Sequence, residues 1–204
     1  MNDSRLVHVA LYDTLADWEI ALVTPYLRKN GHRVVTVAEH GAPVTTMGGL
    51  RVLPDLTLAE LRPEDSALLI VAGAEQWPTR IAPFASAARR FLDAGVPVAA
   101  ICGGTAALAA EGLLDDRAHT GAVPEALAAT GYAGGAHYRE ADAVTDRNVV
   151  TAGPTAPIAF AREILAHLRV LDENVLDAWF RLYAHSDPDA FAEAMAAEGP
   201  GEAA

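Results

Sequence analysis

The sequence is poor in the residues that mark several large functional classes. It has one cysteine, Cys102, in 204 residues. A lone thiol excludes an internal disulfide and any site built from several cysteines. It has one lysine, Lys29, against 14 arginines. Schiff-base chemistry would have to use Lys29, which sits among Arg28, Asn30 and Gly31 at what reads as an exposed helix end, so lysine catalysis is not expected. Positive charge is scarce: 27 acidic against 15 basic residues give a net charge of −12 and a pI of about 4.9. A duplex binder needs a basic face, so nucleic acid is not an expected partner. No apolar run approaches the roughly 18 residues of a membrane span, and no membrane partner is expected. The opening residues Met1–Arg5 lack the basic and apolar regions of a secretory signal. The expected compartment is the cytoplasm, where a lone thiol stays reduced. Glycine-rich phosphate fingerprints and the H-E-x-x-H zinc motif are missing, so neither cofactor nor metal is expected.

What is present is a globular chain: 51% of residues are hydrophobic and 21% charged. Its length suits one domain. Apolar runs at Leu6–Leu11, 67–72 and 97–101, with Arg33–Val37, read as buried strands separated by helical stretches. Helices are expected at 17–30 (kinked by Pro25 and stopped by Gly31), 78–94, 103–111, 124–130 and 155–168. A hairpin turning at Gly48-Gly49 is expected over 44–53, and a short helix capped by Asp55 through Leu61. Shorter strands are expected at 117–120, 143–145 and 149–152. Continuous apolar strands alternating with helices imply an α/β fold. This is a doubly wound, mostly parallel sheet sandwiched by helices, with the ligand site at the carboxyl ends of the strands. Residues 171–204 read as a helical extension of the same domain, with helices near 172–184 and 187–197 and a frayed tail over 199–204.

The chemistry concentrates at Ala100-Ile101-Cys102-Gly103-Gly104. The only cysteine falls where a buried strand turns directly into a helix, the layout of a nucleophile elbow. Such a turn needs small neighbours, which Ala100 and Gly104 supply, and a helix N-terminus is expected to lower the thiol pKa. The competing reading is a buried small hydrophobe. A nucleophilic thiol needs an acid–base partner. Glu19, in the first turn after the first strand, is one candidate; the alternative is a solvated acid favoured by the helix dipole. His119 and His137 are further candidates, each as readily an ordinary strand-end or loop histidine. The loop Gly73-Ala74-Glu75-Gln76-Trp77 follows a strand's carboxyl end, where backbone N–H groups can meet an anion. Trp77 and His137 are the candidate substrate-pocket residues.

The segment Ala100–Leu114 resembles the elbow of the ThiJ/PfpI superfamily, relatives of the Parkinsonism-associated deglycase within the class I glutamine-amidotransferase-like fold. Asp17-Trp18-Glu19, Ala72-Gly73-Ala74 and Val150–Pro154 resemble three further family segments, and the likeness spans about Leu6 to Leu168. It implies Cys102 as nucleophile or oxidisable thiol, Glu19 as the acid bonded to it, and backbone at Gly73, Ala74 and Gly103 as the anion pocket. It further implies a flavodoxin-like architecture, a homodimer, a small-molecule substrate and no cofactor. The chain departs from the protease-like branch, which carries histidine where Gly103 stands. It also departs from the deglycase branch, whose histidine lies near Gly121, two residues past His119. It is most similar to small bacterial proteins of the type 1 glutamine amidotransferase-like branch. The expected activity is that of a hydrolase, hydratase or lyase on a small carbonyl, amide or isocyanide carbon. The alternatives are an oxidation-sensing stress protein and a non-catalytic dimeric binding protein.

Overall fold

The computed structural model describes residues 6–196. In chain order, β1 (Leu6–Leu11) leads to α1 (Asp17–Ile20) and α2 (Val23–Lys29), then β2 (Arg33–Ala38). A hairpin of β3 (Val44–Thr45) and β4 (Arg51–Val52) precedes β5 (Leu56–Thr57). Next come β6 (Leu68–Val71), α3 (Trp77–Arg80), α4 (Ala82–Asp93), β7 (Val98–Ile101) and α5 (Gly103–Ala110). The chain continues through α6 (Pro124–Ala128), β8 (Ala143–Asp146), β9 (Val149–Ala152), α7 (Pro157–His167), α8 (Glu173–His185) and α9 (Ala190–Ala196).

The main sheet has seven strands in the order β5-β2-β1-β6-β7-β9-β8, and only β8 runs antiparallel to its neighbour. The order reverses between β1 and β6, which makes that pair the switch point where doubly wound folds bind ligands. β6, β7 and β9 are buried along their whole length, as strands covered on both faces must be. Helices α2, α7 and α8 pack together on one face, and α3, α4, α5 and α6 on the other. Trp179 of α8 sits within the main core, its ring edge-on to Tyr26 of α2 at 5.3 Å.

Two expected helices are each broken in two, and each break has its own proline. Pro25 lacks the N–H that would bond Ala21 O, and its ring crowds that carbonyl; the chain breaks at Ala21–Leu22 between α1 and α2. Pro83 acts likewise on Thr79 O, and α3 ends before Ile81. Where a helix capped by Asp55 is expected, Asp55 instead accepts from the Thr36 N–H and hydroxyl, both at 2.8 Å. That clamp lays β5 alongside β2 as an edge strand. The strand expected at 117–120 is reduced to a single bridge between His119 and Tyr138. The expected hairpin forms, with Gly49 at φ 83° in its turn. It docks on the first helix: the Gly48 N–H donates to Asp17 Oδ2 at 2.6 Å and the Met47 N–H to Leu15 O at 2.9 Å. The tail expected to fray lies outside the described residues.

Candidate active site

Cys102 joins β7 to α5 with φ 56° and ψ −124°. Positive φ in a non-glycine residue is strained and persists only where the surroundings fix it. Here they do. The Cys102 N–H donates to Ala152 O at 3.1 Å, and its carbonyl accepts from the Thr105 N–H at 3.0 Å and the Thr105 hydroxyl at 2.6 Å. Glycines make room for the turn. A Cβ on Gly104 would lie 2.2 Å from the Val71 carbonyl oxygen, so α5 can approach β6 only with hydrogen at that position.

Glu19 belongs to α1 and comes off the carboxyl end of β1. It is 1% exposed. Its Oε2 accepts the Gly73 N–H at 2.6 Å. Its Oε1 is buried with no fixed hydrogen bond, and it is the oxygen on the thiol side. A Cβ on Gly73 would sit 3.0 Å from both Glu19 Oε1 and Cys102 Sγ, so carboxyl and thiol converge on the space that a glycine hydrogen leaves. Three strand ends of the switch-point region therefore bring these groups together: β1 supplies the acid, β6 the glycine and β7 the thiol.

Burial dominates the electrostatics. It pushes the Glu19 carboxyl up to about 7, against the pull of the Gly73 N–H and the Cys102 thiol. It pushes the Cys102 thiol up to about 12, reinforced by the charge and hydrogen bonding of Glu19 and opposed by the Gly103 N–H. The lowered thiol pKa expected from the helix N-terminus is therefore not what this environment gives: desolvation and the adjacent acid outweigh one amide. Tyr12, buried directly after β1, donates its hydroxyl to Ala72 O. Burial first, then the charges of Glu19 and Cys102, raise its phenol well above the usual value. Sequence reasoning passed over Tyr12; its position one residue past a strand's carboxyl end was the available signal.

The other expected site residues divide. The Gly73 N–H donates to Glu19 Oε2 and so orients the acid at the rim. Ala74 pairs with Leu15 in an isolated bridge on the same rim. The Gly103 N–H acts on the thiol. Trp77 covers Gly103, its Cβ 2.8 Å from where a Gly103 Cβ would stand. His119 is fully buried, and the thiol is not among its partners. Its Nδ1 bonds Arg117 O at 2.8 Å and its Nε2 meets the Tyr132 hydroxyl at 3.1 Å. Since a carbonyl only accepts, Nδ1 carries the proton and Nε2 accepts from tyrosine, a neutral ring with both nitrogens used. Burial lowers its pKa accordingly. His137 ends a 3-10 turn and contributes its backbone carbonyl to the His119 N–H at 3.3 Å. The two-residue offset that restores a strand face does not bring His119 to Cys102, because 117–120 is not a regular strand. Among the described residues no group of three or more His, Cys, Asp or Glu is arranged to hold a metal ion.

A strained cysteine elbow beside a buried acid, on a doubly wound sheet, defines a class of α/β proteins. The chain belongs to the DJ-1/PfpI family, whose model matches residues 5–167. It is 33% identical over 203 residues to "Uncharacterized protease YoaZ" of Bacillus subtilis, covering 94% of this chain and 97% of that one. A ThiJ/PfpI family protein from Bacillus anthracis superposes with a TM-score of 0.91 at 33% identity, over 96% of this chain and 97% of the other. A DJ-1 superfamily protein from Agrobacterium tumefaciens gives 0.83 at 37% identity, over 89% and 98%.

Proposed function

We propose that the protein is a cofactor-free enzyme in which Cys102 adds to a small electrophilic carbon with Glu19 as its only proton carrier. The observation that supports this most is the convergence of Sγ and Glu19 Oε1 on the gap at Gly73, with Oε1 buried and otherwise unbonded. An acid near neutrality is suited to take and return a proton. With a carbonyl substrate, the S–C bond forms as the thiol proton passes to the Glu19 carboxylate. The π pair moves to oxygen, where the amides of Gly103 and Ala74 support the charge. Glu19 then protonates that oxygen. With a 2-oxoaldehyde the adduct is a hemithioacetal. Glu19 takes the proton from its carbon and returns it to the former ketone carbon through an enediol, while the hydroxyl proton passes from the first oxygen to the second, leaving a 2-hydroxyacyl thioester on Cys102. Water adds to the thioester carbon, the S–C bond breaks, the thiol regains its proton, and a 2-hydroxy acid leaves with its aldehyde carbon oxidised and its ketone carbon reduced.

The Bacillus subtilis relative is named an uncharacterized protease. Peptide hydrolysis needs a proton for the leaving amine, usually from histidine, and Gly103 stands where the protease-like branch carries one. Addition to a carbonyl asks less of the site. The raised thiol pKa likewise favours a thiol activated by substrate over one poised for oxidation. The test is consumption of methylglyoxal by the wild type and by Cys102→Ala. Turnover that vanishes in the variant supports the reading; equal turnover in both removes it.

We also infer a homodimer. Trp18, Met47, Leu50 and Leu53 are exposed on α1 and the hairpin docked to it, a joint apolar face. Light scattering should return twice the chain mass, and the single-chain mass in Leu50→Glu/Leu53→Glu.

A further inference from the structure

A second feature adjoins the elbow. A groove of about 390 Å³ runs along α5 between α4 and α6. Its walls are chiefly Trp77, Ala82, Ala85, Ala107, Ala110 and Ala129. Among the described residues Glu111 is the one charged residue lining it, and its carboxylate is engaged by Arg89 at 3.5 Å and by the Ser86 hydroxyl at 3.3 Å. Among the described residues no cation lines the groove, which suits an uncharged chain better than a carboxylate or phosphate.

Trp77 links this groove to the site. Its Cβ and Cγ lie against Gly103, the residue after Cys102, and its side chain forms the near wall of the groove. Ala107 follows Gly103 by about one helical turn on the same face of α5, so the groove begins about 6 Å along the helix from Gly103. Alanine walls leave a smooth trough with room for methylene groups, and the polar groups at its edge are already engaged, the Glu111 carboxylate by Arg89 and Ser86 and the Thr130 hydroxyl by Leu127 O at 2.6 Å.

We propose that this groove takes the uncharged alkyl chain of the substrate, with Trp77 as the specificity-determining residue at its mouth; the inference rests on the reading of Cys102 as a nucleophile. The substrate class is thereby narrowed to electrophiles with an unbranched apolar tail. A charge at the end of that tail would meet no counter-charge among the described residues that line the groove.

The experiment uses straight-chain 2-oxoaldehydes from methylglyoxal upward, with an analogue ending in carboxylate. In the wild type kcat/KM should rise about two- to fourfold per added methylene, and the carboxylate analogue should lose that gain. Ala110→Trp fills the groove away from the elbow. It should abolish the dependence of kcat/KM on chain length. A flat series in the wild type, or a rise that survives in Ala110→Trp, overturns the proposal. Binding of 1-hexanol, followed through the indole N–H signal of Trp77 and assigned with Trp77→Phe, separates the two claims. A shift seen in the wild type and absent in Ala110→Trp, with no 2-oxoaldehyde consumed, keeps the groove and removes the Cys102 reading. No shift in the wild type removes the groove whatever the chemistry.

Discussion

The buried polar clusters around His119 and around Glu19 differ in one respect. Around His119 both ring nitrogens are bonded, the tautomer is fixed, and two tyrosine rings stand edge-on to the imidazole at 5.5 and 5.9 Å. Around Glu19 one carboxyl oxygen is bonded to the Gly73 amide and the other is buried with the thiol of a strained cysteine as its one neighbouring donor among the described residues. A satisfied buried group holds a fold together. An unsatisfied one, paired with strain and a shifted pKa, is where chemistry is expected. The two residue types invite the opposite assignment, since histidine is the usual base at neutral pH. Partners, not residue type, decide between them.

The largest expected effect separates the clusters outright. Cys102→Ser should lower turnover of a 2-oxoaldehyde by about 10³-fold or more with the fold intact. Glu19→Gln should lower it by roughly 10²–10⁴-fold. Yet that same change should stabilise the protein in mild alkali. A carboxyl raised from 4.5 to about 7 contributes most stability below pH 4.5 and loses it as pH climbs through 7. The charged wild type is then weaker by on the order of 3 kcal/mol. Thermal melts should therefore place Glu19→Gln above the wild type at about pH 8 and remove the advantage near pH 5. Equal melting at both would show that Glu19 is not the buried acid described here.

Gly104→Ala tests the packing beneath the elbow. Its Cβ would meet a backbone carbonyl at 2.2 Å, which no rotamer change relieves. A loss of about 3 kcal/mol is expected by chemical denaturation. Gly135→Ala, with nothing within 4 Å, is the neutral control. His119→Phe should cost about 1–3 kcal/mol by leaving Arg117 O and the Tyr132 hydroxyl unpaired. Its kcat should stay within about threefold of wild type; a larger loss of activity than stability explains would return His119 to the site. The smallest expected effect is the shape of the pH profile: kcat/KM should rise with pH through about 7 as Glu19 becomes a base, and Glu19→Gln should flatten that limb.

Much of this was legible in the sequence because strong local signals agree with the tertiary fold. The buried strands announce themselves by continuous apolar runs, and Cys102 by its place between Ile101 and Gly103-Gly104. Glu19 was legible as a first-turn acid near the right rim, but its burial was not. Spacing places a residue on an element, whereas β6 and Gly73, 54 residues away, decide whether water reaches it. The same limit hid the role of His119, whose partners Tyr132 and Arg117 lie on an irregular segment with no period to read. Pro83 was a local signal that went unused, and β5 is too short to leave a pattern. The thiol pKa was misjudged because a helix N-terminus is visible in sequence and desolvation is not.

The account's central claim is that the half-buried Cys102 and the buried Glu19 share one proton. The pH dependence of Cys102 alkylation by iodoacetamide, in wild type and Glu19→Gln, tests it directly. The predicted result is a wild-type midpoint well above the unperturbed value of about 8.5, falling by a unit or more when the carboxylate is replaced. A wild-type midpoint below about 8.5 that does not move in Glu19→Gln would contradict it.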